Sequence, residues 1–228
     1  MIAHDTTISA PPSLTAMLAE RGWGRHSTEE ASAGAVVDEI RRLGDLLGTR
    51  AVGRAGALEE VVQPQAPDAA HPRSLSARYG LDVLPLHAEL SHRPRPCRYL
   101  LLGCVEPGSP GAVTMLLDWR SLCFSPDELR LLEGAPILVR TGRRSFYSTI
   151  LSPDRAFLRY DRGCLEAVDE RGRAALGLVA RRLAAASPES HGWRRGDVLI
   201  IDNWRVLHGR GSMDQGSGRR LARILIDA

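Results

Sequence analysis

The apolar positions of this 228-residue chain change their period along its length. In the first 60 residues they recur at helical spacing. Ser13–Glu20 reads as one helix and Glu29–Leu47 as a second, with Ala35, Val36, Ile40, Leu43, Leu46 and Leu47 on one stripe. Such helices are expected to pack outside a sheet. Residues 61–73, VVQPQAPDAAHPR, carry Pro and Ala without period and read as a loop or ligand-side lid. After Tyr79 the runs become short. Tyr99–Glu106, Val113–Asp118, Ile137–Thr141, Phe157–Tyr160, Val198–Asp202 and Leu221–Asp227 are apolar segments separated by Pro or Gly turns, the spacing of a sandwich or jelly roll. A helix over Asp169–Ala185 interrupts them, with Ala175, Leu176, Leu178, Val179, Leu183 and Ala184 toward the core. A shorter helix follows Ser125, an N-cap before Pro126-Asp127-Glu128. The expected fold is mainly β with flanking helices and a jelly-roll (double-stranded β-helix) core. It forms one domain over residues 1–228, in which helices and loop of 1–75 pack on a core of 76–228.

Composition narrows the function classes. Hydrophobic residues at 43% and charged residues at 25% are globular values, and no apolar run approaches the roughly 20 residues of a membrane span. The N-terminus shows no basic flank followed by an apolar stretch, so a cytoplasmic protein is expected. All 30 basic residues are arginine, yet the acids are interspersed and the net charge is +3, which makes no basic stripe for nucleic acid. Cys97, Cys104, Cys123 and Cys164 form no CxxC pair and read as buried thiols.

The candidate chemistry lies in histidines and arginines at strand positions. On a strand, residues two apart share a face, so His87 and Glu89 can offer an imidazole and a carboxylate to one ion, with His208 closing the set. Two histidines and one carboxylate leave coordination sites open, as in non-haem Fe(II) oxygenases, whereas structural zinc closes its shell. Alone, HxE is also compatible with a surface or core histidine beside a solvated strand carboxylate. On the last run, Arg219 and Arg223 share a face while Arg220 points away. Arginine's planar fork suits a carboxylate, although cationic strand edges are common without a ligand.

Three pieces in order, LPLHAE, GDVLIIDNWRVLHGR and RRLAR, resemble the taurine dioxygenase and clavaminate synthase-like superfamily of Fe(II)/2-oxoglutarate oxygenases, over roughly residues 75 to 228. The resemblance implies His87, Glu89 and His208 as ligands of Fe(II). It implies Arg223 and Thr114 on the far carboxylate of 2-oxoglutarate, with Arg219 near the carboxylate beside its keto group. It implies oxidation, by O2, of a C–H bond in a small molecule such as an amino acid or natural-product intermediate. Retention of the carboxylate ligand disfavours the family's halogenases. A silent jelly-roll binding module and a cupin-like metal isomerase or hydrolase are the competing readings, and the second leaves both arginines unexplained.

Other polar residues read as scaffold or as an unresolved substrate pocket. Gly196-Asp197 and Asp202-Asn203 mark turns, and Trp119, Trp193 and Trp204 read as core anchors. Arg210 and His92 read as surface or supporting groups. Arg143, Arg144, Phe146, Tyr147, Arg159 and Asp161 fall where the family gathers substrate contacts, but no spacing selects among them.

Overall fold

A computed structural model describes residues 12–53, 56–68, 70, 75–108, 113–141 and 144–228. The N-terminal part holds helix α1 (Pro12–Arg21), strand β1 (Trp23–Ser27), helix α2 (Ala33–Leu47), strands β2 (Thr49–Ala51) and β3 (Glu59–Val62), and the short helix α3 (Leu75–Tyr79). The central part holds β4 (Leu84–His87), β5 (Tyr99–Glu106), β6 (Thr114–Asp118), α4 (Pro126–Gly134), β7 (Ile137–Val139) and β8 (Phe146–Ser148). The remainder holds β9 (Leu165–Ala167), α5 (Glu170–Ala185), β10 (Glu189–His191), β11 (Asp197–Asp202), β12 (Val206–Arg210) and β13 (Arg220–Asp227).

Two antiparallel sheets build the sandwich. The larger runs β1-β11-β5-β13-β2, with β3 pairing β13 ahead of β2 along the same edge; the smaller runs β10-β6-β12-β4. Strands β5 and β11 are buried on both faces, so they read as continuous apolar runs rather than as alternation. One face, with Leu100, Leu102, Leu199, Ile201, Leu221 and Leu225, meets Leu116 and Val206 of the smaller sheet. The opposite face packs Leu101, Ile200, Ile224 and Ile226 under Leu14, Val36, Ile40 and Leu43 of α1 and α2. Gly103 permits that close approach, since a Cβ there would lie 2.6 Å from Val36 Cγ1. A third sheet, β8-β7-β9, joins α4 and α5 in a separate cluster behind the smaller sheet.

Several expectations shift. Residues 23–62 supply three strands of the larger sheet, so the β core is not confined to 76–228. Val61 and Val62 belong to β3, and residues 69 and 71–73 of the expected lid lie outside the described residues. The second helix begins at Ala33 because the Ser32 side chain caps it through Ala35 N. Ser125 and Glu128 form the capping box of α4, as the Ser125 N-cap predicts. Phe157–Tyr160 is not a ladder strand. Its backbone bonds go to irregular partners, Arg159 N to Ile150 O at 2.7 Å and Ala88 N to Tyr160 O at 2.8 Å. No described helix is long and apolar enough to cross a membrane.

Candidate metal centre

His87 ends β4 and His208 lies on β12, directly opposite it in the ladder, with ring centroids 4.4 Å apart. Glu89 is not on the strand. β4 stops at His87, and Glu89 sits in the turn beyond, which corrects the alternation argument. What holds that turn is Asn203, itself 1% exposed. Its Oδ1 accepts from Glu89 N at 2.6 Å, and its Nδ2 donates to Glu89 O at 3.0 Å and Cys97 O at 2.8 Å. Arg159, equally buried, donates to Ser91 O, to Arg93 O at 2.5 Å and to Pro94 O at 2.7 Å. Side chains thus satisfy the backbone of 89–97 where no ladder does.

Ligand atoms of His87, Glu89 and His208 lie within 4.8 Å of one another. His87 Nδ1 donates to Pro85 O at 2.9 Å, which leaves Nε2 as the nitrogen available to a metal. His208 Nε2 is 4.0 Å from Glu89 Oε2, too far for a hydrogen bond. His208 Nδ1 is buried without a partner among the described residues. Burial, with the neighbouring His87, pushes the His208 pKa down to about 3, so its imidazole stays neutral and able to ligate. The donor set therefore fits a divalent cation with open positions.

These residues open into a cavity of about 550 Å³ between the two sheets. Arg223, on β13, donates to Glu89 Oε2 at 3.0 Å and also pairs with Glu60, which faces it across the β13–β3 ladder. Those two carboxylates outweigh the cost of burial, and the Arg223 pKa is raised. Arg219, Arg210 and Thr114 line the other end. Burial and the nearby Arg210 lower the Arg219 pKa to about 10. Arg210 is buried and donates to Gly80 O at 2.5 Å and Asp82 O at 2.9 Å.

All six site residues expected from the sequence line this cavity. Glu60 and Asp161 join them. Glu60 directly precedes the segment 61–73 and carried no signal of its own, and Asp161 was one of six candidates that spacing could not separate. Tyr147 is 72% exposed and turned outward. Trp119 and Trp204 anchor the core as expected, through hydrogen bonds to Trp204 O at 3.0 Å and Pro96 O at 2.9 Å. Arg143 lies outside the described residues.

Comparison with known proteins bears on this jelly roll and its two-histidine, one-carboxylate cluster. Residues 129–225 match the Taurine catabolism dioxygenase TauD, TfdA family, so the resemblance read from the sequence is borne out. The chain is 26% identical over 206 residues to L-lysine 3-hydroxylase of Catenulispora acidiphila, covering 82% of this chain and 56% of that protein. It is 27% identical over 158 residues to the mitochondrial trimethyllysine dioxygenase of Bos taurus, covering 57% and 37%. The matches thus span roughly half or less of those relatives. Among solved structures, asparagine oxygenase with Fe(II), 2S,3S-3-hydroxyasparagine and succinate superposes with a TM-score of 0.74 at 18% identity, over 93% of this chain and 77% of that one. The non-haem iron oxygenase OrfP with Fe and alpha-ketoglutaric acid gives 0.73 at 20%, over 92% and 76%. The jelly-roll fold is shared with both.

Proposed function

We propose that the protein is a non-haem Fe(II)/2-oxoglutarate-dependent oxygenase that hydroxylates a free amino acid. The observation that carries this is the His87, Glu89, His208 cluster sharing one cavity with buried arginines at its far end. The similar proteins named above, several of them amino-acid oxygenases, support it. With His87, Glu89 and His208 holding it, Fe(II) would supply the coupling of O2 and 2-oxoglutarate decarboxylation to C–H oxidation, giving succinate, CO2 and the alcohol.

Within this proposal the two arginines take roles different from those the resemblance implied. Arg223 touches Glu89 and so stands at the metal end. Arg219 lies with Thr114 and Arg210 at the other end, where two buried cations and a hydroxyl suit the far carboxylate of the cosubstrate. Arg223 and Glu60 are then an opposite-charge pair beside the reacting centre, matched to the carboxylate and ammonium of an amino acid, which can exchange partners with them. Asp161, 5% exposed in the cavity wall, has one oxygen held by Gly163 N at 2.7 Å and no cationic partner among the described residues. A cationic substrate side chain would complement this buried carboxylate in the cavity wall. Substrate orientation then rests on two carboxylates, Glu60 and Asp161, and the Arg223 guanidinium, and the sheets on either side exclude bulk water.

The test is anaerobic addition of Fe(II) and 2-oxoglutarate, which should give the weak visible charge-transfer band of the chelate, lost in His208→Ala. Under oxygen, a panel of L-amino acids should yield succinate and a product heavier by one oxygen, with lysine, arginine or ornithine ahead of neutral isosteres. No band and no succinate across the panel would sink the reading. Binding without turnover would favour a silent module.

A further inference from the structure

Trp193 sits in the turn between β10 and β11, and its indole Nε1 donates to Thr114 Oγ1 at 3.0 Å. An indole nitrogen can only donate, so the Thr114 oxygen accepts in this bond and its own proton must be directed elsewhere. Thr114 is buried, lines the cavity, and finds no acceptor for that proton among the described residues. The nearest candidate in the register is His191, directly opposite on β10, yet its Nε2 makes no hydrogen bond among the described residues. The His191 ring instead meets Trp193 edge-on, with centroids 4.5 Å apart and planes at 82°, which fixes the indole in place.

We infer that Trp193 is a positioning residue that, by occupying one lone pair of Thr114 Oγ1, orients the hydroxyl so that its proton points toward the far carboxylate of 2-oxoglutarate. The inference rests on the oxygenase reading above. An ionised carboxylate only accepts, so it matches a hydroxyl whose oxygen is already occupied, beside Arg219 and Arg210. A neutral amide at the same end brings N–H donors, which the two arginines cannot accept and which a hydroxyl held with its proton forward meets poorly. Trp193 therefore contributes to cosubstrate choice without touching the cosubstrate.

Binding of 2-oxoglutarate, and of its far-end amide, is measured by calorimetry and by the charge-transfer band for wild type, Trp193→Phe, Thr114→Val and the double variant. Trp193→Phe should weaken 2-oxoglutarate roughly fivefold, the effect of one modest hydrogen bond, raising KM for it while kcat at saturation is kept. It should also narrow the preference for acid over amide, because the Thr114 hydroxyl, no longer held, can rotate to accept from an amide N–H. In the Thr114→Val background the same change should have no further effect. Should the Phe variant not fold, Trp193→Leu is read in the same way. Wild-type affinity in the single variant, or an equal loss in the Thr114→Val background, overturns the inference. Failure of wild type itself to bind 2-oxoglutarate defeats the oxygenase reading instead.

Discussion

At the scale of single residues, the site depends on a side chain that ligates nothing. Glu89 has no strand partner, and Asn203 bonds both its N–H and its C=O. Removing that amide leaves buried backbone groups unpaired and frees the turn. Asn203→Ala is therefore expected to lower metal affinity by roughly 10- to 100-fold, the usual effect of a lost supporting partner. Calorimetric titration of the metal-free protein checks this, and unchanged affinity would show that the turn holds itself. The residue types of the site were legible in the sequence; their arrangement was less so. HxE suggested alternation on one strand, but the strand ends at His87 and a long-range amide contact presents Glu89. No local pattern encodes a contact 114 positions away. The roles of Arg219 and Arg223 likewise depended on seeing which of them meets Glu89.

His191 yields a pH prediction at the same scale. Burial, with Arg25 adding to it, lowers its pKa below the ordinary histidine value, while Asp197, 4.0 Å away, opposes the shift. The unfolded chain therefore binds this proton more readily than the folded one. Its contribution to stability is full above about pH 6.5 and is lost as pH falls toward the folded value. The melting temperature should fall on acidification below about pH 6.5, and His191→Phe should remove part of that slope.

At the scale of elements, β4 and β12 carry the two histidines, and both are short strands that periodicity does not reveal. β4 contains Pro85, tolerated because β4 is the edge of its sheet. β12 contains Gly209, where the ladder to β4 shifts register between His208 and Arg210. A Cβ on Gly209 would lie 2.6 Å from Leu84 O and 3.2 Å from Leu86 N, so the glycine in HGR lets the two histidine strands meet. Gly209→Ala should push β4 outward, weaken metal binding and cost about 1–3 kcal/mol of stability. Denaturant unfolding and metal titration together check it, and wild-type metal affinity with only lowered stability would count against this role. By contrast β5, β11, β13 and α5 were close to their expected bounds. Long apolar runs and a clear stripe speak for themselves, whereas three-residue strands such as β8 to β10 are stabilised by tertiary packing alone.

At the scale of the whole molecule, the site joins parts of the sandwich that otherwise touch through apolar packing. His87 and His208 belong to the smaller sheet, Arg223 and Glu60 to the larger, and Glu89 to the turn between them. A ligand bound to this set stabilises the folded state and has no comparable site in the unfolded chain. At about 100 times its dissociation constant it adds about 2.7 kcal/mol. For a chain of this length that corresponds to a rise of about 5–10 °C in melting temperature. Adding 2-oxoglutarate to the metal-loaded protein under anaerobic conditions should produce such a rise. Arg219→Ala should remove most of the part due to 2-oxoglutarate while leaving the part due to metal, because Arg219 stands away from the three ligands. Arg223→Ala should instead leave the 2-oxoglutarate shift largely in place and abolish the further rise given by the amino-acid substrate. If the two variants exchange these effects, Arg223 holds the far carboxylate after all and the placement of cosubstrate in the cavity must be reversed.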